Sequence, residues 1–131
     1  MEIEQFGVHF MMDGYDADQA ILYDAALLRQ MLTDIPNSMG MHTINEPVVV
    51  TVGEKNRKDP GGLSGFVMIA ESHISFHTFP ARGFVTIDVY TCQNDLDTEK
   101  LKALFINTFK IKDSDTYIQK RGLRYPANNL H

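Results

Sequence analysis

The chain has 131 residues, 44% of them hydrophobic and 22% charged, with a formal net charge of −5 and a single cysteine. That composition describes one globular domain with a core, and the acidic balance without a dense Lys/Arg run excludes a nucleic-acid partner or an anionic membrane surface. The apolar runs are too short to span a bilayer, and a lone cysteine forms no internal disulfide, which fits a reducing cytoplasm.

The opening "MEIEQFGVHFMMDGYD" carries acids where a secretory leader would carry bases. Within it, "QFGVHFMMDGY" predicts a first strand with Phe6, Val8 and Phe10 on one face. "DADQ", Asp16 to Gln19, reads as a helix cap, and Ile21, Ala25, Leu28 and Leu32 recur at helical spacing, so a helix is expected over about residues 17–34, closed by "IPNSMG". "PVVVTVG" predicts a buried strand and "EKNRKDPGG" a loop. Three strands follow at about residues 64–70, 73–79 and 84–92. "DLDTEKLKALFINTFK" predicts a second helix capped near Asp97, with Leu101, Leu104, Phe105 and Thr108 on one stripe. "DTYIQKRGL" is a weaker last strand, and "RYPANNLH" a loose tail. The order β-α-β-β-β-β-α-β gives an α+β fold, a two-layer sandwich in which an antiparallel sheet carries two helices on one face. The other face needs cover, which suggests a homodimer stacked sheet to sheet.

Reactive side chains concentrate between Gly61 and Cys92. Alternation puts His73, Ser75 and His77 on one strand face and Ile74, Phe76 and Thr78 on the other. Two histidines could ligate a metal, but no acid or cysteine at ligand spacing completes a site, so no metal is expected. Cys92 could be a nucleophile activated by a histidine, or a small residue at a strand end. On these residues alone the structural reading is the better one.

The pattern as a whole resembles the S-adenosylmethionine decarboxylase proenzyme family in its short prokaryotic form. The likeness runs from "FGVHF" to about "NTFK" and is densest in "SGFVMIAESHISFHTFP" and "GFVTIDVYTC". Its specific part is the spacing of Ser64, Glu71-Ser72, His77 and Cys92. The resemblance implies a proenzyme that cuts itself between Glu71 and Ser72 into chains 1–71 and 72–131. Ser72 becomes a pyruvoyl group, the cofactor, on which a substrate amine forms a Schiff base. It further implies His77 as the processing base, Ser64 as a processing hydroxyl and Cys92 as the proton donor in decarboxylation. Strain at the Ala70-Glu71-Ser72 turn would help the acyl shift.

Two positions depart from the family. The phenylalanine six residues before the matched serine, which stacks on adenine, is Lys58 here, and the glutamate four residues after the processing histidine, which binds the ribose, is Ala81. Stacking is worth about 1–3 kcal/mol and a hydrogen bond to a charged group about 1.5–3 kcal/mol. Asp59, beside Lys58, could instead pair with the cation of ornithine or arginine. The expected substrate is therefore a small basic amino acid decarboxylated to putrescine or agmatine. The alternative is S-adenosylmethionine, with Phe6, Phe66 or Phe79 stacking on adenine, and a further alternative is a catalytically silent regulatory homologue.

Overall fold

A computed structural model describes residues 5–126, so most of the tail expected to be loose falls outside the described residues. Six strands, β1 (Gly7–Tyr15), β2 (Val48–Val52), β3 (Gly62–Ile69), β4 (Ser72–Phe79), β5 (Phe84–Thr91) and β6 (Asp113–Arg121), form one sheet in the order β2-β3-β4-β5-β1-β6. Every pairing is antiparallel. Along β4 and β5, and along β1 from Val8 onward, burial alternates residue by residue, as a strand with one covered face requires. Among the described residues no helix is long and apolar enough to cross a membrane.

Three helices cover one face: α1 (Gln19–Leu22), α2 (Ala25–Ser38) and α3 (Thr98–Phe109). The single first helix expected from the sequence is in fact two. Asp18 and Asp24 each accept a backbone N–H three residues on, from Ile21 and Leu27 at 3.1 Å, so each starts its own helix. Asp16 lies outside both, at φ 54, in the turn leaving β1. Pro36 does not end α2. It sits in the last turn, where it forfeits one hydrogen bond and buries its ring.

Leu28, Met31, Leu32 and Ile35 of α2 and Leu101, Phe105 and Phe109 of α3 join Phe10, Val67, Ile74, Phe76 and Ile87 of the sheet in one core. Phe10 stacks on Phe105 with centroids 6.3 Å apart, and Phe76 meets Phe109 edge-on at 6.1 Å. "PVVVTVG" departs from expectation: it forms one of the sheet's two edge strands, and only Val49 of β2 is buried.

One buried hydroxyl ties three elements together. Thr78 Oγ1 donates to the Leu22 carbonyl at 2.8 Å and accepts from the Leu63 N–H at 2.9 Å. Replacing Thr78 with valine should cost about 1–3 kcal/mol, because it strands a buried donor and a buried acceptor. Urea unfolding checks this, with Thr78→Ser as the variant expected to keep most of the stability. An unchanged midpoint for Thr78→Val would remove the tie.

Candidate active site

The two-residue link Ala70-Glu71 joins β3 to β4 and sets their register, so Ile69 faces Ser72 and Ser64 faces His77. On the face that no helix covers, Ser64 Oγ and His77 Nδ1 are hydrogen-bonded at 2.7 Å. The bond engages Nδ1, and among the described residues Nε2 has no hydrogen-bond partner. This pairing was open to arithmetic, since a turn between strands at 70 and 71 pairs 64 with 77.

At the other end of the hairpin Glu71 adopts φ 57, a left-handed conformation that non-glycine residues rarely take. Ser72 follows at once. It is 8% exposed, and its Oγ accepts the backbone N–H of Cys92 at 3.3 Å. Cys92, just past the end of β5, is half-buried. On the far side of Cys92, β1 comes close to the end of β5 through Gly7, where a Cβ would collide with the Thr91 carbonyl and the Cys92 Cα.

The five residues singled out by spacing thus form two groups. Ser64 and His77 are one, and Glu71, Ser72 and Cys92 the other. His77 lies five residues beyond Ser72 on β4, about 16 Å along an extended strand at about 3.3 Å per residue. Five is odd, so the two side chains leave opposite faces of the strand.

A cavity of about 720 Å³ runs along the hairpin, touching Ser64 and His77 at one end and Glu71, Ser72 and His73 at the other. Its wall is apolar, built from Ile44, Val48, Val50, Phe66 and Met68, residues that chemistry-led sequence reading passed over, Phe66 apart. A smaller cavity of about 180 Å³ on the other side of the Ser64–His77 pair is lined by Asp59, Gly62, Thr78 and Phe79. Asp59 and Phe79 continue into a third, of about 370 Å³, with Lys55, Lys58, Arg82 and Phe84.

Asp59 has two roles. Its Oδ1 accepts the Gly61 N–H at 3.1 Å, closing a turn, while the residue also walls the cavity beside Ser64 and His77. Ala81 is exposed in a short 3-10 turn (Pro80–Arg82) and lines none of these three cavities. Phe6 does not share a face with Val8 and Phe10. It precedes β1 and packs against Tyr90 and Tyr125, with centroids 6.5 and 5.0 Å away.

His73 and His77 both leave the open face. Among the described residues no three His, Cys, Asp or Glu side chains converge to hold a metal ion. Away from the hairpin the same face turns acidic. His9 Nε2 meets Asp88 Oδ1 at 2.9 Å, and the Tyr15 hydroxyl donates to Asp115 at 2.7 Å, which helps push the Tyr15 pKa up to about 12. Burial, then the charges of Asp115 and Asp88, raise the Asp13 carboxyl above its ordinary range.

An antiparallel sheet with helices on one face and a Ser–His pair on the other defines the class: a two-layer α+β sandwich with an open sheet face. A family model for S-adenosylmethionine decarboxylase matches residues 8–122, and the chain belongs to that family of decarboxylases. The S-adenosylmethionine decarboxylase proenzyme of Thermococcus kodakarensis is 33% identical over 122 residues, 93% of this chain and 80% of that one. The proenzyme of Prochlorococcus marinus is 37% identical over 86 residues, 66% of this chain and 63% of its own. The crystal structure of the adenosylmethionine decarboxylase from Aquifex aeolicus superposes with a TM-score of 0.75 at 26% identity, covering 91% of this chain and 92% of that one.

The raised Asp13 carboxyl makes a prediction with a definite sign. A carboxyl that holds its proton more tightly when folded contributes stability below its unfolded value, 3.8, and loses it as pH rises through the folded value. Asp13→Asn should therefore raise the urea midpoint at pH 7, with the gain shrinking as pH falls towards 4. A less stable variant at pH 7 would contradict it.

Proposed function

We propose that the chain cuts itself between Glu71 and Ser72, converts residue 72 into a pyruvoyl group, and decarboxylates a small amino-acid substrate with it. The Glu71–Ser72 link carries this reading: a strained residue at φ 57 is followed by an enclosed hydroxyl held by a main-chain donor. A left-handed non-glycine residue stores on the order of 1–3 kcal/mol, which breaking the peptide bond releases.

Ser72 Oγ bonds to the Glu71 carbonyl carbon, the C–N bond breaks, and the hydroxyl proton passes to the nitrogen, leaving an ester. A base then takes the α-proton of residue 72, the Cβ–Oγ bond breaks, and Glu71 departs as a carboxylate. Water displaces the nitrogen as ammonia. The pyruvoyl group supplies an electron sink for loss of the substrate carboxylate. The Cys92 thiol, on the strand end next to residue 72, returns a proton to carbon.

His77 is the base, and it acts on a second copy of the chain. Across about 16 Å and the thickness of a strand it does not reach its own Ser72. Two chains stacked open face to open face, about a two-fold axis near Ser75, would set His77 of one over the open side of the residue-72 main chain of the other, where the base has to reach the α-proton rather than the inward-pointing side chain. Stacked sheets lie about 10 Å apart, a gap that an imidazole reaching out from one sheet largely spans. The apolar cover that this face lacks supports the stack: Val50 is 51%, Met68 45% and Phe66 41% exposed.

For the substrate, Asp59 in the cavity beside Ser64 and His77 supports a basic amino acid, ornithine or arginine. Lys58 and Ala81 offer neither a ring nor a carboxylate to a nucleoside. S-adenosylmethionine is the second reading, favoured by the names of the relatives and by Phe79, whose ring lines two adjoining cavities.

Purified protein should run as two fragments, and intact mass should show residue 72 without its hydroxyl. A single uncut chain bearing serine would overturn the proposal and favour a silent homologue. Ser72→Ala and His77→Ala chains should each stay uncut alone, whereas co-expression should restore cleavage of the His77→Ala chain. Failure of that rescue would put both halves of the site in one chain.

Carbon dioxide release from labelled ornithine, arginine and S-adenosylmethionine decides the substrate. Asp59→Asn should weaken a basic amino acid about ten- to a hundredfold, the loss of one charged hydrogen bond. Undiminished turnover of ornithine or arginine would remove Asp59 from the site.

A further inference from the structure

We infer that the main-chain N–H of Cys92, as distinct from its thiol, is a catalytic donor in self-processing that carries negative charge on Ser72 Oγ. The inference rests on the self-processing reading above and assigns a group that the reading leaves without a role.

The geometry is specific to one atom pair. Cys92 N lies 3.3 Å from Ser72 Oγ, and the N–H points at that oxygen. The peptide that carries it is clamped. Thr91 is 1% exposed, and Gly7 packs its Cα against the Thr91 carbonyl and the Cys92 Cα, leaving no room for a Cβ. The next donor along is used locally, since the Gln93 N–H goes to Thr91 Oγ1 at 3.1 Å. Within the chain, Ser64 and His77 stand at the far end of the hairpin and cannot serve Oγ.

Oγ carries charge at two moments. When its bond to the Glu71 carbonyl carbon forms, its proton is leaving and the oxygen becomes alkoxide-like. When the Cβ–Oγ bond breaks, the electron pair of that bond stays on Oγ, which departs as one oxygen of the new Glu71 carboxylate. In the ester between these steps the charge is gone. A fixed N–H aimed at Oγ therefore binds both transition states more tightly than the ester that separates them, which is the condition for acceleration. A thiol is not needed for this, so changing the side chain and changing the backbone should have different consequences.

The test replaces the N–H by oxygen. Full-length chain made by cell-free synthesis with lactic acid at position 92 is compared with Cys92→Ala, which keeps the N–H and has the same side chain. Lactic acid at position 93, compared with Gln93→Ala, makes the same backbone change at the next amide. Processing is followed by intact mass, and ester is trapped with hydroxylamine. Fragments cut after 71 differ in mass from those cut after 91 or 92, so neither engineered backbone ester is mistaken for the intermediate.

Cys92→Ala, which keeps the N–H, sets the reference rate. The position-92 ester chain should process about ten- to a hundredfold more slowly and accumulate ester, somewhat below the ~10²–10³-fold loss seen for a full oxyanion donor. A rate equal to that of Cys92→Ala would overturn the inference. Equal slowing at 92 and 93 would also overturn it, because the effect would then belong to the strand end as a whole. If wild type never loses the Ser72 hydroxyl, the self-processing reading itself fails. If wild type is processed while the position-92 ester matches its comparator, only the N–H assignment falls.

Discussion

The register of the β3–β4 hairpin is the constraint from which the rest of the open face follows. Two residues between Ile69 and Ser72 leave no slack, so Ser64 must face His77, and Glu71 must absorb the left-handed turn. A one-residue slip would move His77 to the helix side and Phe76 to the open side, losing the Ser64–His77 bond and a fully buried ring together. The core therefore enforces the chemistry. Phe76 under the helices holds His77 above the sheet.

The strand order bears on a chain cut at residue 71. The first piece would contribute β1, β2 and β3, and the second β4, β5 and β6. In the sheet these alternate: β3 pairs with β4, and β1 lies between β5 and β6. Separating the pieces would break three ladders and expose a core that includes Phe10, Phe76 and Phe105. A single peptide bond at a hairpin tip holds little of that, so the turn can be opened while the fold stays closed.

Much of this was legible in the sequence because it depends on period and spacing. Alternation along "SHISFHTF" separates the core set from the outward set, and the buried pattern of β4 follows it residue for residue. The Ser64, Ser72, His77 and Cys92 spacing pointed to the family that the comparisons bear out. What failed was what depends on the third dimension. A continuous helix over 17–34 satisfied the periodicity of Ile21, Ala25, Leu28 and Leu32, yet Asp24 intervenes as a second cap, and caps compete locally with helical continuation. "PVVVTVG" has the composition of a buried strand but lies at an edge, and composition carries no information about strand order. Phe6 fits the alternation of β1 but sits just before it, against Tyr90. The division of the site into two groups follows from the same alternation and the odd step from Ser72 to His77, but that Cys92 joins Ser72 needed the pairing of β5 with β4, which spacing along the chain does not carry.

That division also sorts the surroundings by charge. The large cavity beside the hairpin is walled by Ile44, Val48, Val50, Phe66 and Met68, with no Lys or Arg among the described residues of its lining. Lys55, Lys58 and Arg82 stand in the outermost cavity, joined to the Ser64–His77 pair through Asp59 and Phe79. Decarboxylation converts a carboxylate into neutral carbon dioxide, so a cation beside the departing group would stabilise the starting state more than the transition state. An apolar wall does the reverse, because it withholds solvation from a charge that the reaction removes. A substrate held where two stacked chains meet would lie between these regions. Its carboxylate would lie towards the apolar wall, and its far end in the small cavity where Asp59, fixed by the Gly61 N–H, presents a preoriented charge. The cations beyond Asp59 then stand away from the reacting carbon, and the segregation of charge along the groove becomes part of how a pyruvoyl site would favour loss of carbon dioxide.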